Sequence, residues 1–305
     1  MEVYLAEPRG FCAGVRRAIA IVENTLRQFG APVFVRHEIV HNKHVIEDLT
    51  AKGAVFIEGL NEAHPGRPVI FSAHGVSLEV VEEAQRMGLH TIDATCPLVE
   101  KVHQQMRLFR DKNLEIIVIG KQNHPEIIGT IGQLENTSRV HVIYTLQEAK
   151  ELNIAPDAPV GFVTQTTLSI DDTQEIIDYL KQKFSQIQGL SKADICYATT
   201  NRQKAVKELV KATPNIVILG SKNSSNSRHL KESAIKHGAS HAWLVDDYRE
   251  LDWLEIDKLS SLGISAGASA PEYLVEELLE ELKRRYDNIN KKRIIIAEEC
   301  VNFKI

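Results

Sequence analysis

The sequence has little of what marks several common classes of protein. Its 305 residues include only four cysteines and two tryptophans, and aromatic residues make up 6%. Four thiols in so long a chain do not read as a disulfide scaffold, which belongs to short secreted domains. No apolar run approaches the ~20 residues of a membrane-spanning helix, and the opening MEVYLAEPRG is too charged for a secretory signal. The expectation is a cytoplasmic protein with no membrane association. Positive charge is not in excess either: 36 Lys and Arg face 41 Asp and Glu, for a net charge of -5. With no helix-turn-helix or basic stripe, nucleic acid is not an expected partner. Nucleotide fingerprints are missing too, since Phe11-Cys12-Ala13-Gly14 is not a Gly-x-Gly-x-x-Gly loop and no P-loop occurs. Neither Cys-x-x-Cys nor the common Cys–His spacings of zinc sites are found.

What remains is an ordinary globular composition, 43% hydrophobic and 25% charged. Length alone suggests two domains at ~150 residues each. Short Val- and Ile-rich runs predict strands at 3–6, 33–40, 69–72, 116–120, 160–164, 216–220 and 262–266. Between them apolar residues recur at helical steps, as in Val15, Ala18, Ile19, Val22, Leu26 and Phe29, or Leu98, Val99, Val102, Met106 and Phe109. Alternating strands and helices with near-continuous apolar strands predict an α/β fold of parallel sheets covered on both faces.

A threefold pattern runs through that alternation. Cys12, Cys96 and Cys196 each stand at a predicted strand-to-helix turn, the last after a short strand at 193–195. A polar cluster follows each at nearly constant distance: His41 lies 29 residues after Cys12, His124 lies 28 after Cys96, and Ser224 lies 28 after Cys196. A second landmark comes later, in His74-Gly75-Val76-Ser77, Thr166-Thr167-Leu168-Ser169 and Ala266-Gly267-Ala268-Ser269. Helix capping alone accounts for a serine at such a position. It does not account for cap, cluster and cysteine recurring together. The chain therefore reads as three similar units, 1–95, 96–193 and 194–286, with a tail at 287–305. Packed as a pseudo-threefold trefoil, they would bring three cysteines to one centre, ringed by the polar motifs at the carboxyl ends of the strands.

Helix starts present N–H groups that favour anionic sulfur, so three such thiols suit a soft metal. Zinc with an open position is one option; an iron–sulfur cubane with three protein ligands and one iron left for substrate is the sharper one. Cys300 could supply a fourth ligand, but it lies outside the repeat and reads as a spare thiol. His41, His74, His124, Thr166, Thr167, Ser224, Ser225, Asn226 and Ser269 are neutral or switchable donors, and with helix N-termini they suit phosphate. Glu126 is the one carboxylate among these clusters. It could move protons, or simply favour the first turn of a helix after Pro125.

These segments together resemble the LytB family, the 4-hydroxy-3-methylbut-2-enyl diphosphate reductases. The matching runs are PRGFCAGV at 8–15, VRHEIVHN at 35–42, FSAHGVS at 71–77, DATCPLV at 93–99, HPE at 124–126, TQTTLS at 164–169, DICYATTNRQ at 194–203, GSKNSSNS at 220–227 and SAGASAP at 265–271. The resemblance implies one 4Fe–4S cluster held by Cys12, Cys96 and Cys196. It implies an allylic diphosphate substrate, its diphosphate among His41, His74, His124, Ser224, Ser225, Asn226 and Ser269, and its hydroxyl on the iron that lacks a protein ligand. Glu126, Thr166 and His124 would form the catalytic group, with Glu126 delivering protons and Thr167 and Thr199 nearby. The implied reaction is a reductive dehydroxylation to isopentenyl and dimethylallyl diphosphates, the last step of the non-mevalonate (MEP) pathway. Electrons would come from a separate carrier such as ferredoxin or flavodoxin; the basic residues 283–285 and 291–293 are a candidate docking patch, although a solvated helix face is the more ordinary reading of such a run. The tail at 293–305 matches no motif. Rival readings of the residues are a zinc hydrolase acting on a diphosphate ester and a sensor that uses a metal cluster without turnover.

Overall fold

The computed structural model describes residues 1–189 and 194–305. From the N-terminus come β1 (Glu2–Glu7), α1 (Ala13–Phe29), β2 (Val33–Arg36), α2 (Lys43–Ala51), β3 (Ala54–Ile57), β4 (Pro68–Phe71), α3 (Leu78–Arg86) and β5 (His90–Asp93). Next are α4 (Pro97–Asp111), β6 (Glu115–Ile119), α5 (Pro125–Ile131), β7 (Val140–Ile143), α6 (Leu146–Glu151), β8 (Pro159–Thr164), α7 (Ile170–Lys183) and β9 (Gln186–Gln188). The last stretch holds α8 (Tyr197–Ala212), β10 (Asn215–Leu219), α9 (Ser225–Lys236), β11 (His241–Val245), α10 (Trp253–Ile256), β12 (Ser261–Ala266), α11 (Tyr273–Arg285) and β13 (Asn290–Ile295). The chain forms two compact units. One comprises residues 1–16, 40–48 and 197–302; the other comprises 17–39, 49–196 and 303–305.

The first unit is built on one sheet, in the order β11-β10-β12-β1-β13, with parallel pairings throughout. Its central strands β10 and β12 are buried on both faces, as the middle of a parallel sheet requires. Along β10, Val217 and Leu219 enter the core under α11, while Ile216 and Ile218 enter the core under α8 and α9. Period-two alternation thus feeds two apolar layers, and each fully buried Val, Leu or Ile contributes ~1.5–3 kcal/mol of transfer free energy.

The second unit holds two parallel sheets, β3-β2-β4-β5 and β7-β6-β8-β9. Ile117 and Ile119 of β6 pack with Ile176, Ile177 and Leu180 of α7, and Ile116 and Val118 pack with Val102, Met106 and Phe109 of α4. Phe34, Val69 and Phe71 of the other sheet pack with Ala84 of α3. The α/β class of three parallel sheets is as the sequence predicts. The same strand order recurs three times, with β1 beside β12 as β5 is beside β4 and β9 beside β8.

Several local expectations are corrected. The strand expected at 33–40 stops at Arg36, because His37 takes φ +59°, which breaks the extended run. On α1 the buried stripe includes Ile21 and Thr25, whereas Phe29 is exposed at the helix end. Of the strand expected at 193–195, Ala193 lies outside the described residues, and Asp194 and Ile195 are not strand. Within the stretch read as a tail, β13 pairs with β1 along its whole length. Its exposed Lys291, Lys292 and Arg293 make a charged edge, a composition that discourages further strand addition.

Candidate active site

Each of the three cysteines directly precedes a helix: Cys12 before α1, Cys96 as the N-cap of α4 with Pro97 in its first turn, and Cys196 before α8. All are thiols and partly exposed. Their backbone N–H groups make the same contact in each case. Cys12 donates to the carbonyl of Ala268 at 3.1 Å, Cys96 to Ala73 at 3.0 Å, and Cys196 to Thr166 at 3.1 Å. Each acceptor lies at or beside one of the Ser-terminated landmarks. The N–H of Val15 also reaches the Cys12 sulfur at 3.5 Å. Cys300 is exposed. Among the described residues no three His, Cys, Asp or Glu side chains are grouped closely enough to share a single metal ion.

In the first unit the chain order reverses between β10 and β12, and ligand sites of parallel sheets lie at the carboxyl ends of strands at such a reversal. The loop after β10 ends in Ser224, which caps α9 by accepting the N–H of Ser227 at 3.3 Å. Asn226 accepts the Ala268 N–H at 2.9 Å and donates to Thr199 Oγ1 at 3.3 Å. Ser269, after β12, donates to the carbonyl of His41 at 2.9 Å. Ser224, Ser225, Asn226 and Ser269 are all buried. This unit therefore gathers His41, Ser224, Ser225, Asn226, Ser269, Thr199 and Cys12.

In the second unit the corresponding reversal lies between β6 and β8. His124 caps α5, its Nδ1 accepting the N–H of Glu126 at 3.2 Å, and Pro125 occupies the first turn. Glu126 is 2% exposed. Its carboxylate accepts the backbone N–H of Thr166 at 2.6 Å and the Thr166 hydroxyl at 2.9 Å. Burial pushes the Glu126 carboxyl up to about 7; the two Thr166 hydrogen bonds oppose the rise, and the Asp194 charge adds to it. A carboxyl near neutrality is poised to give and take a proton. Thr167 accepts from Gln165 Nε2 at 3.0 Å. His74 follows β4, with its Nδ1 3.3 Å from Ser72 Oγ. Its ring meets that of His124 edge to face, with centroids 5.8 Å apart.

Residues 3–283 match the family model described as LytB protein. The chain belongs to the LytB family. Two of its relatives are the 4-hydroxy-3-methylbut-2-enyl diphosphate reductases of Ruegeria pomeroyi, 49% identical over 100% of this chain and 96% of that protein, and of Dechloromonas aromatica, 51% identical over 93% and 92%. The solved structure of the E-1-hydroxy-2-methyl-but-2-enyl-4-diphosphate reductase from Plasmodium falciparum matches with a TM-score of 0.95 and 37% identity, over 99% of this chain and 95% of that one. That of an (E)-4-hydroxy-3-methyl-but-2-enyl diphosphate reductase matches with a TM-score of 0.67 and 30% identity, over 93% and 99%. As a LytB protein the chain is an enzyme, an iron–sulfur oxidoreductase.

Two groups beside these LytB landmarks had no role in the sequence reading. Asp194 accepts the Thr164 N–H at 3.1 Å, and burial pushes its carboxyl up to about 6. Its position two residues before Cys196 was the available signal. His103 is buried behind Gly75, whose φ is +78°, and a Cβ there would stand 2.6 Å from His103 Cε1. Burial holds the His103 imidazolium down to about 4. No feature of the sequence points to that contact, because 28 residues separate the partners. In the basic patch, Lys283, Arg284, Arg285, Lys292 and Arg293 all pair with carboxylates of Glu280, Glu281, Glu2 and Glu7, which leaves less free positive charge than the sequence suggests. Among the described residues, no helix is long and apolar enough to cross a membrane.

Proposed function

We propose that this chain reduces (E)-4-hydroxy-3-methylbut-2-enyl diphosphate to isopentenyl and dimethylallyl diphosphates, the last step of the non-mevalonate route to isoprenoid precursors. The observation that carries the reading is Glu126, buried, held by both donors of Thr166 and poised near neutrality. Two electrons and two protons are consumed, the allylic C–O bond breaks, one proton leaves with the oxygen as water, and the other enters the allyl carbon framework. Glu126 supplies the proton that departs with the hydroxyl, and Thr166 orients it. His124 fixes the first turn of α5 on which Glu126 stands.

His41, Ser224, Ser225, Asn226 and Ser269, together with His74, His124 and Thr166, bind the substrate. Hydroxyl, amide and imidazole groups with helix N–H donors suit a diphosphate. Cys12, Cys96 and Cys196 hold one 4Fe–4S cluster. The donor chemistry fits it: three partly exposed thiols, each at a helix start and each with its backbone anchored to a landmark loop. When bound, the cluster supplies a Lewis-acidic iron for the hydroxyl and passes the electrons. A separate carrier such as ferredoxin or flavodoxin replenishes them, in the cytoplasm. The shared strand order supports reading the chain as repeated segments 1–95, 96–193 and 194–286 with a tail at 287–305, β1 standing beside β12 as β5 stands beside β4 and β9 beside β8.

Anaerobic purification tests the reading. A brown protein with about four irons and four sulfides per chain, active on the allylic diphosphate with a strong reductant, is the expected result. Glu126→Gln should keep the iron and lose turnover by about 10²–10⁴-fold. Colourless protein carrying one zinc would indicate the hydrolase instead. A brown protein without turnover would indicate the sensor, and near-normal turnover of Glu126→Gln would remove Glu126 from the proton path.

A further inference from the structure

The stretch after β13 ends at two arginines, and both arginines hold backbone carbonyls just ahead of cysteines. Arg202, on α8, is 1% exposed and heads the fully buried side chains by size. Its Nε and Nη2 donate to the carbonyl of Gly10 at 3.0 and 2.7 Å, and its Nη1 donates to the carbonyl of Ala198 at 2.9 Å. The remaining capacity of Nη1 and Nη2 is taken by the Glu299 carboxylate, at 3.0 to 3.2 Å. Glu299 is itself 8% exposed in its side chain and also accepts from Asn201 at 3.1 Å. Gly10 stands two residues before Cys12. Its N–H is tied to Ala266, as that of Cys12 is to Ala268.

In the second unit Arg17 repeats the arrangement. Its Nη1 donates to the carbonyl of Thr95 at 3.1 Å, one residue before Cys96, and its Nε donates to the carbonyl of Lys304 at 2.7 Å. Each latch lies inside its own unit. A buried guanidinium needs every donor satisfied and its charge countered. Without Glu299, Arg202 would keep only neutral carbonyls around a buried charge, and its easiest relief is to withdraw toward water and drop Gly10.

We infer that the C-terminal tail is a strap that positions the loops presenting Cys12 and Cys96, acting through Glu299 on Arg202 and through the Lys304 carbonyl on Arg17. That these loops serve an iron–sulfur cluster rests on the function proposed above. Glu299, Arg202 and Arg17 are positioning residues, which act through the backbone of the cysteine loops. The tail is thereby part of the ligand scaffold, although it contributes no ligand.

The test compares the full-length chain with Glu299→Ala, Glu299→Asp, a chain ending at Asn302, and Glu298→Ala as an exposed control. Backbone hydrogen exchange over residues 9–13 and 94–97 is read on cluster-free protein, and iron loss to a chelator on reconstituted protein. Glu299→Ala should speed exchange at 9–13 and iron loss by about ten-fold or more, with exchange in α9 and α11 unchanged. Glu299→Asp should recover part of both. Ending the chain at Asn302 should speed exchange at 94–97 and leave 9–13 as it was. Glu298→Ala should match the unaltered chain. Unchanged exchange at 9–13 in Glu299→Ala, or an equal rise throughout the unit, would overturn the strap. If the unaltered chain takes up no iron, the cluster reading falls, while exchange at 9–13 and 94–97 still decides the strap.

Discussion

The backbone N–H of Cys196 donates to the carbonyl of Thr166, whose own N–H and hydroxyl hold the carboxylate of Glu126. One threonine therefore couples a proposed metal ligand to the proposed proton donor through three hydrogen bonds. The contact has two counterparts, Cys12 to Ala268 and Cys96 to Ala73. In all three the strand leading toward the cysteine lies beside the strand that ends at its acceptor loop: β1 beside β12, β5 beside β4, and β9 beside β8.

Glu126 should impose a pH dependence on stability. Its folded pKa of about 7 lies above the ordinary 4.5, so the folded state holds this proton more tightly than the unfolded chain. Its stabilising contribution is complete below about 4.5 and is lost as pH rises through about 7. Urea unfolding of the unaltered chain and Glu126→Gln between pH 4.5 and 8 should show the difference shrinking with pH. A constant difference would contradict the assignment.

Thr166→Val should move the kinetics of the same group. The hydroxyl bond favours the carboxylate form of Glu126, so its removal raises the Glu126 pKa further. The alkaline limb of the pH–rate profile should shift upward, and turnover should fall by about ten-fold from lost orientation. An unmoved limb would separate Thr166 from the titrating group.

Gly75→Ala should destabilise the second unit by about 1–3 kcal/mol, since the new methyl would press on His103 and the backbone has positive φ. Adding His103→Ala should return part of that loss. Calorimetry or urea titration of the single and double variants measures the coupling, and strictly additive losses would count against the steric explanation.

Asn226→Asp should separate binding from turnover. The substituted side chain can still accept the Ala268 N–H but places a carboxylate where the proposed diphosphate lies. KM should rise about ten-fold or more, with kcat changed much less. A fall in kcat at constant KM would remove Asn226 from substrate binding.

Much of this site was legible as sequence because its chemistry is local. A cysteine before a helix, a serine or histidine cap and a proline in the first turn are all specified within a few residues. Cys96-Pro97 and His124-Pro125-Glu126 are examples, and each became a helix start. Glu126 could be named as the one carboxylate in the clusters, but its raised pKa could not. That depends on desolvation by surrounding atoms and on Thr166, 40 residues away. The end of β2 at Arg36 was missed for a related reason: the residues after it are apolar enough for a strand, and only the positive φ at His37 stops it.

By itself the sequence determined the alternation of strands and helices, the threefold recurrence of cysteine and polar landmarks, and the family. These follow from residue type and spacing. Only the tertiary structure decided which strands became neighbours, and so which loop meets which cysteine. The sequence counts each cysteine as the start of a segment, whereas in the sheets each belongs with the strand beside its acceptor loop, and β1 joins the sheet of β10 and β12, with β13 beyond it. Parallel neighbours are joined by long crossovers, and hydrophobic period specifies a buried face without specifying a partner. The same holds for the tail. Its composition named no role, and it acquired one because the charge of Arg202, buried in a distant helix, is countered there by Glu299.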